Sequence, residues 1–430
     1  MLTRNVSEQV NFPAFNRLQR PLIARARFQL LGCLLAPLLA WLIWNDKNSI
    51  ILNVASNTLI GTALAALLGF FLFRKISRQP GGQMIGYIIP IFAVSFMLVF
   101  SIFLMLRLDY SRIQFFSGFV ISLLWFGSVF VFARRAEPSI LAIIPVGDSV
   151  SLMELPNVHW QVLPDPPVMP LQVNGIVADL RADHPPHWQR FITDCVVAGT
   201  PVFHVKQVRE LLTGRIEISH LSENTLGSLN PDDSYLKFKR AVDSLTALLF
   251  LIAGAVPLLL IAIAIKIDSP GSAIFKQERV GRHGRVFTMY KFRTMTSLQN
   301  GMDPREASRT RQDDSRITRF GRILRRTRFD ELPQAFNVLT GEMSWIGPRP
   351  EAVPLARWYE SELPFYGYRH IVSPGITGWA QVNQGHVTSV EHVSTKLNYD
   401  FYYIKNFSLW LDLFILMKTV RVILSGFGSK

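Results

Sequence analysis

The sequence predicts a membrane protein in four parts: a four-helix transmembrane bundle, a cytosolic α/β Rossmann-like domain, a re-entrant membrane helix and a mainly α C-terminal domain. Three observations carry this reading. Four long apolar runs fill the first third of the 430 residues, strand-like and helix-like runs alternate over 138–233, and a fifth apolar run holding Pro257 precedes an arginine-dense stretch. Composition agrees: apolar residues reach 49% and charged residues only 18%, which excludes a disordered chain and is unlike an ordinary soluble domain. The formal charge of +14 suits an anionic partner, either a lipid surface or a phosphorylated substrate. Cys33 and Cys195 form no CxxC motif, so neither a disulfide framework nor a thiolate metal site is expected.

The first four runs are Phe28–Trp44, Ile50–Phe73, Ile85–Leu106 and Ile113–Phe132. A spanning helix needs about 20 apolar residues; the first run is slightly short and carries Trp41 and Trp44 as interface anchors. Arg17, Arg20, Arg25 and Arg27 precede it, Arg74, Lys75 and Arg78 follow the second, and Arg134 and Arg135 follow the fourth. The positive-inside rule then places the N-terminus and everything beyond Arg135 in the cytoplasm. The expected parts are residues 1–135, 136–234, 235–266 and 267–430.

Within the second part, Leu141–Pro145, Gly175–Leu180 and Val202–Val205 read as strands, and Trp188–Val197 and Gln207–Leu212 as helices. That alternation implies a parallel sheet. A dinucleotide site needs a glycine-rich turn after the first strand, and only Gly147 stands there, so no bound dinucleotide is expected.

The fifth run, Ala241–Ile265, has Lys237, Lys239 and Arg240 before it and Lys266 after it. Basic flanks on both sides and a proline that removes a helix hydrogen bond predict a helix that enters one leaflet and returns, with a simple fifth span as the alternative. Between Lys276 and Arg328 lie 15 Lys and Arg against five Asp and Glu. This excess marks a membrane-surface patch, a site for diphosphate and lipid phosphate, or both. Inside this basic field Asp330-Glu331 stands out, preceded by Arg325, Arg326 and Arg328 and followed by Pro333, which suits a helix's first turn. Acids at a helix start are ordinary. In this setting the cations are expected to keep Asp330 ionised, and a carboxylate so held can attack phosphorus, while Glu331 holds a metal ion.

The surrounding motifs match a family. They are Ser269-Pro-Gly271, Phe275-Lys-Gln277, Tyr290-Lys-Phe-Arg-Thr-Met295, Arg316-Ile-Thr-Arg-Phe-Gly-Arg322, Asp330-Glu-Leu-Pro-Gln334, Phe336-Asn-Val-Leu339, Gly341-Glu-Met-Ser344, Gly347-Pro-Arg-Pro350, Pro374-Gly-Ile-Thr-Gly-Trp-Ala-Gln-Val-Asn383, Tyr403-Ile-Lys-Asn406 and Leu411-Asp412. In this order, from about Tyr235 to Lys430, they resemble the bacterial sugar transferases, the monotopic polyprenyl-phosphate phosphoglycosyl transferases that start exopolysaccharide or O-antigen synthesis. The four spans and the Rossmann-like domain resemble the large membrane branch of that family.

The resemblance implies a catalytic domain over 267–430 in the bacterial inner membrane. It implies that Asp330 attacks the β-phosphate of a UDP-sugar, releases UMP and carries a phosphosugar that undecaprenyl phosphate then takes. It implies Mg²⁺, with Mn²⁺ as a substitute, held by Glu331 and Asp330. Lys291, Arg293, Arg325, Gln334, Asn337, Pro348, Arg349, Pro350 and Gln381 are the implied substrate-binding set, and Pro257 the membrane kink. UDP-glucose is the favoured sugar, with UDP-galactose next. Membrane lipid and a homo-oligomer complete the expected partners; nucleic acid is not among them. Two departures stand out. Val256-Pro257 replaces the family's Ser-Pro pair, and Gln384-Gly385-His386 follows Asn383 where many members carry Gly-Arg; His386 is the candidate substitute.

A rival class is the membrane-anchored nucleotide-sugar dehydratases and epimerases, which need a glycine-rich turn and a Tyr-xxx-Lys pair. Tyr235 and Lys239 have that spacing, but no fitting turn accompanies them.

Overall fold

The computed structural model describes residues 26–44, 52–77, 85–136, 140–155, 158–168, 173–217, 231, 233–296, 316–384 and 390–425. They fall into two compact units, Met1–Gly214 and Arg215–Lys430. Among the described residues five helices are long and apolar enough to cross a membrane.

Four of these open the first unit: α1 (Ala26–Trp44), α2 (Leu52–Ile76), α3 (Ile88–Met105) and α4 (Arg112–Ala136). Each coincides with an apolar run read from the sequence. Small residues let the helices approach closely: a Cβ on Gly32 would lie 2.1 Å from the Trp125 ring, and one on Gly61 2.1 Å from Phe103. The Thr58 hydroxyl accepts from the Ser111 backbone N–H at 2.8 Å, tying α2 to the start of α4. Leu42, Ile89, Met97, Phe116 and Leu124 face outward, as lipid-facing positions do. Arg17, Arg20, Arg25 and Arg78 lie outside the described residues, as do the side chains of Arg134 and Arg135.

The rest of the first unit is a sheet of four parallel strands in the order β2-β1-β3-β4: β1 (Ile140–Ile143), β2 (His159–Val162), β3 (Gly175–Ala178) and β4 (Val202–His204). Helix α5 (Pro186–Val197) covers one face and α6 (Val205–Thr213) the other. Successive strand residues alternate between them: Ala142, Ile176 and Ala178 pack on Trp188 and Cys195, while Leu141 and Val177 pack on Leu152 and Val208. The sequence reading found three of these strands and missed β2. That strand is at the edge of the sheet and largely exposed, and its two alternating apolar residues, Trp160 and Val162, make too short a run to stand out. Gly147 takes φ +68° in the turn after β1, and a Cβ there would lie 2.6 Å from Asp179 Oδ2.

The second unit begins with α7 (Asp233–Asp268), 36 residues long, helical through Pro257 without a break. One stripe of it packs on a single domain at both ends. Ala247 joins Phe287, Met289, Val338 and Met343, and Ile265, with Leu258 and Ile261, joins Phe292 and Leu324. Those spacings follow the helical period. Its opposite face exposes Leu249, Ile252, Val256 and Leu260. The N-terminal half is fixed by Lys239 and the Tyr235 hydroxyl, which both bond Asp412 Oδ2 at 2.7 and 2.6 Å, and by Ser344, which donates to Asp243 at 2.6 Å.

Beyond α7 lie the antiparallel hairpin β5 (Ile274–Val280) and β6 (Val286–Phe292), then α8 (Arg319–Thr327), a 3₁₀ turn over Phe329–Gln334 and α9 (Ala335–Thr340). The parallel pair β7 (Ser344–Ile346) and β8 (Gly375–Thr377) brackets α10 (Val353–Glu362) and a second 3₁₀ turn, Tyr366–Ile371. Helices α11 (Trp379–Gln384), α12 (Val390–Lys405) and α13 (Leu409–Ser425) follow. The unit is mainly helical, as expected.

Candidate active site

The site is built where α8 stops. Thr318 caps that helix by accepting the Gly321 N–H at 2.9 Å. Gly321 lies so close to β6's exit that a Cβ would sit 2.2 Å from the Thr294 carbonyl oxygen. This contact seats α8 on Thr294, whose hydroxyl also accepts from Arg325 Nε at 2.9 Å. Arg328 then ends the helix with φ +62°, a left-handed geometry uncommon for a side-chain-bearing residue. The reversal turns the chain inward, so Asp330 and Glu331 are 9% and 7% exposed despite their charge.

Three cations from three places meet Glu331 Oε1: Arg349 Nη2 at 2.9 Å, Lys291 Nζ at 3.4 Å and Arg328 Nη1 at 3.7 Å. Burial alone would raise the Glu331 pKa, but Arg349 and Lys291 outweigh it and hold the group at about 2. Lys291 feels the reverse: burial pushes it down to about 8 although Glu331 favours its charge. Asp330 differs from both. Its Oδ1 is buried and accepts no hydrogen bond. Burial, then the Glu331 charge, raises its pKa, and Lys291, Arg325 and Arg349 only partly offset this. Lys291, Arg325 and Arg349 thus act on Asp330 in the expected direction, while burial and the Glu331 charge work against them. Lys291 and Arg349 serve Glu331 first, and the adjacent carboxylate repels a second negative charge.

No group of three or more His, Cys, Asp or Glu placed to hold a metal ion occurs among the described residues. Asp330 and Glu331 are the residues that could hold Mg²⁺, an ion bound by one or two carboxylates with water and substrate phosphate completing its shell, although Glu331 Oε1 is already engaged by three cations. Asp330 Oδ1 is the unpartnered oxygen such an ion needs. The buried Gln334 side-chain nitrogen, one turn on, also lacks a partner, so a donor and an acceptor wait on the same turn.

Comparison with known proteins decides the family. Residues 234–426 match the model described as bacterial sugar transferase. The chain is 41% identical over 421 residues to a UDP-N-acetylgalactosamine-undecaprenyl-phosphate N-acetylgalactosaminephosphotransferase of Aeromonas hydrophila, covering 96% of this chain and 97% of that one. It is 40% identical over 243 residues to a UDP-glucose:undecaprenyl-phosphate glucose-1-phosphate transferase of Klebsiella pneumoniae, covering 55% and 50%. A protein of the same description from Escherichia coli K12 is 42% identical over 194 residues, covering 45% and 40%. The chain belongs to the bacterial sugar transferase family.

The structure of this transferase sorts the residues singled out above. Lys291 and Arg349 grip Glu331, Gln334 follows on the same 3₁₀ turn, and Arg325 is held at Thr294. Pro348 and Pro350 frame Arg349, their carbonyls accepting from the Gly375 N–H and from Arg279, each at 2.9 Å. Arg293 is directed elsewhere: it donates to the Pro270 carbonyl at 2.8 Å and the Ser269 hydroxyl at 2.9 Å, closing the turn after α7. Asn337 is fully buried, accepts the Tyr290 N–H at 3.1 Å, and donates to the Thr288 carbonyl and Glu342 at 2.7 Å each. Both residues brace the scaffold in this arrangement. Gln381 donates to the Ile376 carbonyl at 2.9 Å and keeps its side-chain oxygen buried without a partner. Tyr235 and Lys239, the rival class's pair, are both bound to Asp412. His386 and residues 297–315 of the arginine-dense stretch lie outside the described residues. The sequence reading missed Thr294 as the seat of α8; only the closeness of Gly321, invisible without coordinates, reveals it.

Proposed function

We propose that this transferase moves a sugar 1-phosphate from a UDP-sugar to undecaprenyl phosphate through a phosphosugar carried on Asp330. The observation that supports it is the buried, unpartnered Asp330 oxygen beside a carboxylate already neutralised by Arg349 and Lys291. In the first step an Asp330 oxygen attacks the β-phosphorus, the bond from that phosphorus to the bridging oxygen breaks, and UMP leaves with the electron pair. In the second a phosphate oxygen of undecaprenyl phosphate attacks the same phosphorus, the acyl–phosphate bond breaks, and Asp330 is regenerated. Arg349 and Lys291 place fixed positive charge where the diphosphate oxygens gather, which favours transfer in a water-poor site. Bound Mg²⁺, held by Asp330 and Glu331, would supply further neutralisation of the diphosphate.

For the sugar, the relative that matches along nearly the whole chain is named for N-acetylgalactosamine, and this favours UDP-N-acetylgalactosamine. UDP-glucose, favoured from sequence alone, is the second reading, supported by relatives that match over about half the chain. For topology, α7 lays residues on both sides of Pro257 against one domain, which supports a helix that enters and leaves by the cytoplasmic face of the inner membrane.

The test is UMP release from UDP-N-acetylgalactosamine, UDP-glucose and UDP-galactose with undecaprenyl phosphate. Covalent catalysis predicts ping-pong kinetics, so one burst of UMP is expected without the lipid, with ³²P from the β-phosphate bound to Asp330 in an alkali-labile bond. UMP that appears only once lipid is added would replace the covalent route with direct transfer.

A further inference from the structure

Arg349 grips Glu331 with its side chain, yet its own backbone is held from behind by a second set of buried charges. Arg279 on β5, Arg369 in the turn Tyr366–Ile371 and Lys396 on α12 converge on residues 349–351. Arg279 donates to the Pro350 carbonyl at 2.9 Å, and Lys396 bonds Glu351. Arg369 is 3% exposed. It donates to the Arg349 carbonyl at 2.8 Å, to the Tyr366 hydroxyl at 2.8 Å, and through Nε and Nη2 to Asp400 at 3.1 and 2.9 Å.

A buried charged network is costly to desolvate and is weak evidence for stability as such. What an arginine supplies here is geometry, since its planar fork meets several acceptors in fixed directions. Proline at 350 restricts the backbone of Arg349 to extended conformations. Gly347 lies so near the Ser373 carbonyl that a Cβ would sit 2.3 Å away. Within that extended range, Arg369 holds the Arg349 carbonyl in one direction.

We propose that Arg369, anchored by Asp400, is a positioning residue that sets the approach of Arg349 to Glu331. This rests on the reading of Asp330 and Glu331 as the catalytic pair. Charge and hydrogen bonding then run unbroken from Asp400 through Arg369 and Arg349 to Glu331, over residues 18 to 69 positions apart in the chain.

The test uses the full chain in detergent with Arg369→Lys, Arg349→Ala and the double variant. Three readouts are taken: melting temperature, UMP-release kinetics, and phenylglyoxal modification of Arg349 mapped by peptide mass. Arg369→Lys keeps the charge but not the fork. It is expected to lower kcat about tenfold with KM within about twofold, and to cost less than about twofold more once Arg349 is already alanine, because residues that act through one another are not additive. Arg349 is also expected to react severalfold faster in Arg369→Lys. Equal losses in both backgrounds, or unchanged Arg349 reactivity, would overturn the proposal. If the wild-type chain releases no UMP from any UDP-sugar, the functional reading falls while Arg349 reactivity still decides the positioning. Should Arg369→Lys fail to fold, Asp400→Asn, which keeps an acceptor oxygen, and the milder Tyr366→Phe are judged by the same reactivity measurement.

Discussion

Asp179 in the first unit and Asp330 in the second are both carboxylates folded against a turn, and they are treated in opposite ways. Asp179 takes the backbone N–H of Asp148 at 3.1 Å on one oxygen and that of Arg181 at 3.2 Å on the other. Burial would raise its pKa, but these bonds, with His204 and His184 nearby, bring it below the usual value. Asp330 has one oxygen with no bond at all and a raised pKa. An unpartnered buried oxygen does not by itself mark a site, since Asp400 Oδ1 is also buried without a partner; Asp330 differs in standing beside a second carboxylate gripped by Arg349 and Lys291. The same residue type thus closes the turn after β1 and, in the function proposed above, carries the phosphosugar after α8.

The sharpest way to break this contrast is to remove the negative charge from each. Asp330→Asn is expected to abolish the UMP burst and the ³²P label, a loss of about a thousandfold or more, as for other covalent nucleophiles. Asp179→Asn should leave the burst intact. A labelled Asp330→Asn enzyme would show that another residue carries the phosphosugar.

Next in size is the cationic wall. Arg349→Ala is expected to cut kcat/KM about a hundredfold, the scale of losing one fixed charge or donor in a water-poor site. Glu331→Gln should slow transfer less, and raised Mg²⁺ should recover part of the rate. A Glu331→Gln enzyme that ignores Mg²⁺ between micromolar and tens of millimolar would remove the metal from the argument.

The pH profile sharpens the comparison further. In the proposed mechanism Asp330 must be ionised to attack, so activity should rise with pH through its elevated pKa. Lys291 must be protonated to neutralise phosphate and is held down at about 8, so activity should fall above that value. Lys291→Arg, whose cation does not titrate in this range, should remove the alkaline limb and leave the acid limb in place. An alkaline limb that survives Lys291→Arg belongs to another group.

The smallest effect is expected at the strut. Asp179→Ala removes two backbone partners and should lower the stability of the first unit by about 1–3 kcal/mol, read as a lower melting temperature with unchanged UMP release in detergent.

Much of this was legible before any coordinates. The four apolar runs became α1 to α4 because length and apolarity alone define such helices. Asp330 and Glu331 stand out in the sequence as an acidic pair in a basic field, and Lys291 and Arg349 are singled out by the resemblance to the family; the structure brings all four together. What could not be read is direction and desolvation. Arg293 lies two residues from Lys291 on the same strand exit, yet it turns to Ser269 and Pro270. Charge counting around Asp330 sums attraction to nearby arginines but carries no term for burial, so its raised pKa escaped notice. The Arg369–Asp400 pair is spread over 31 positions, and neither residue stands in any motif.

The anchoring of α7 has a consequence in time. Lys239 enters the chain 173 residues before Asp412, the carboxylate that receives it. At synthesis rates of about 5–20 residues per second, the ammonium and the Tyr235 hydroxyl wait roughly ten to thirty seconds for that partner. The apolar helix is complete early, while the Asp412 clamp, one of several contacts that dock it to its own domain, has to wait for α13. A ribosome stalled before α13 would leave the helix held by Ser344 and its apolar contacts but without the clamp on Tyr235 and Lys239.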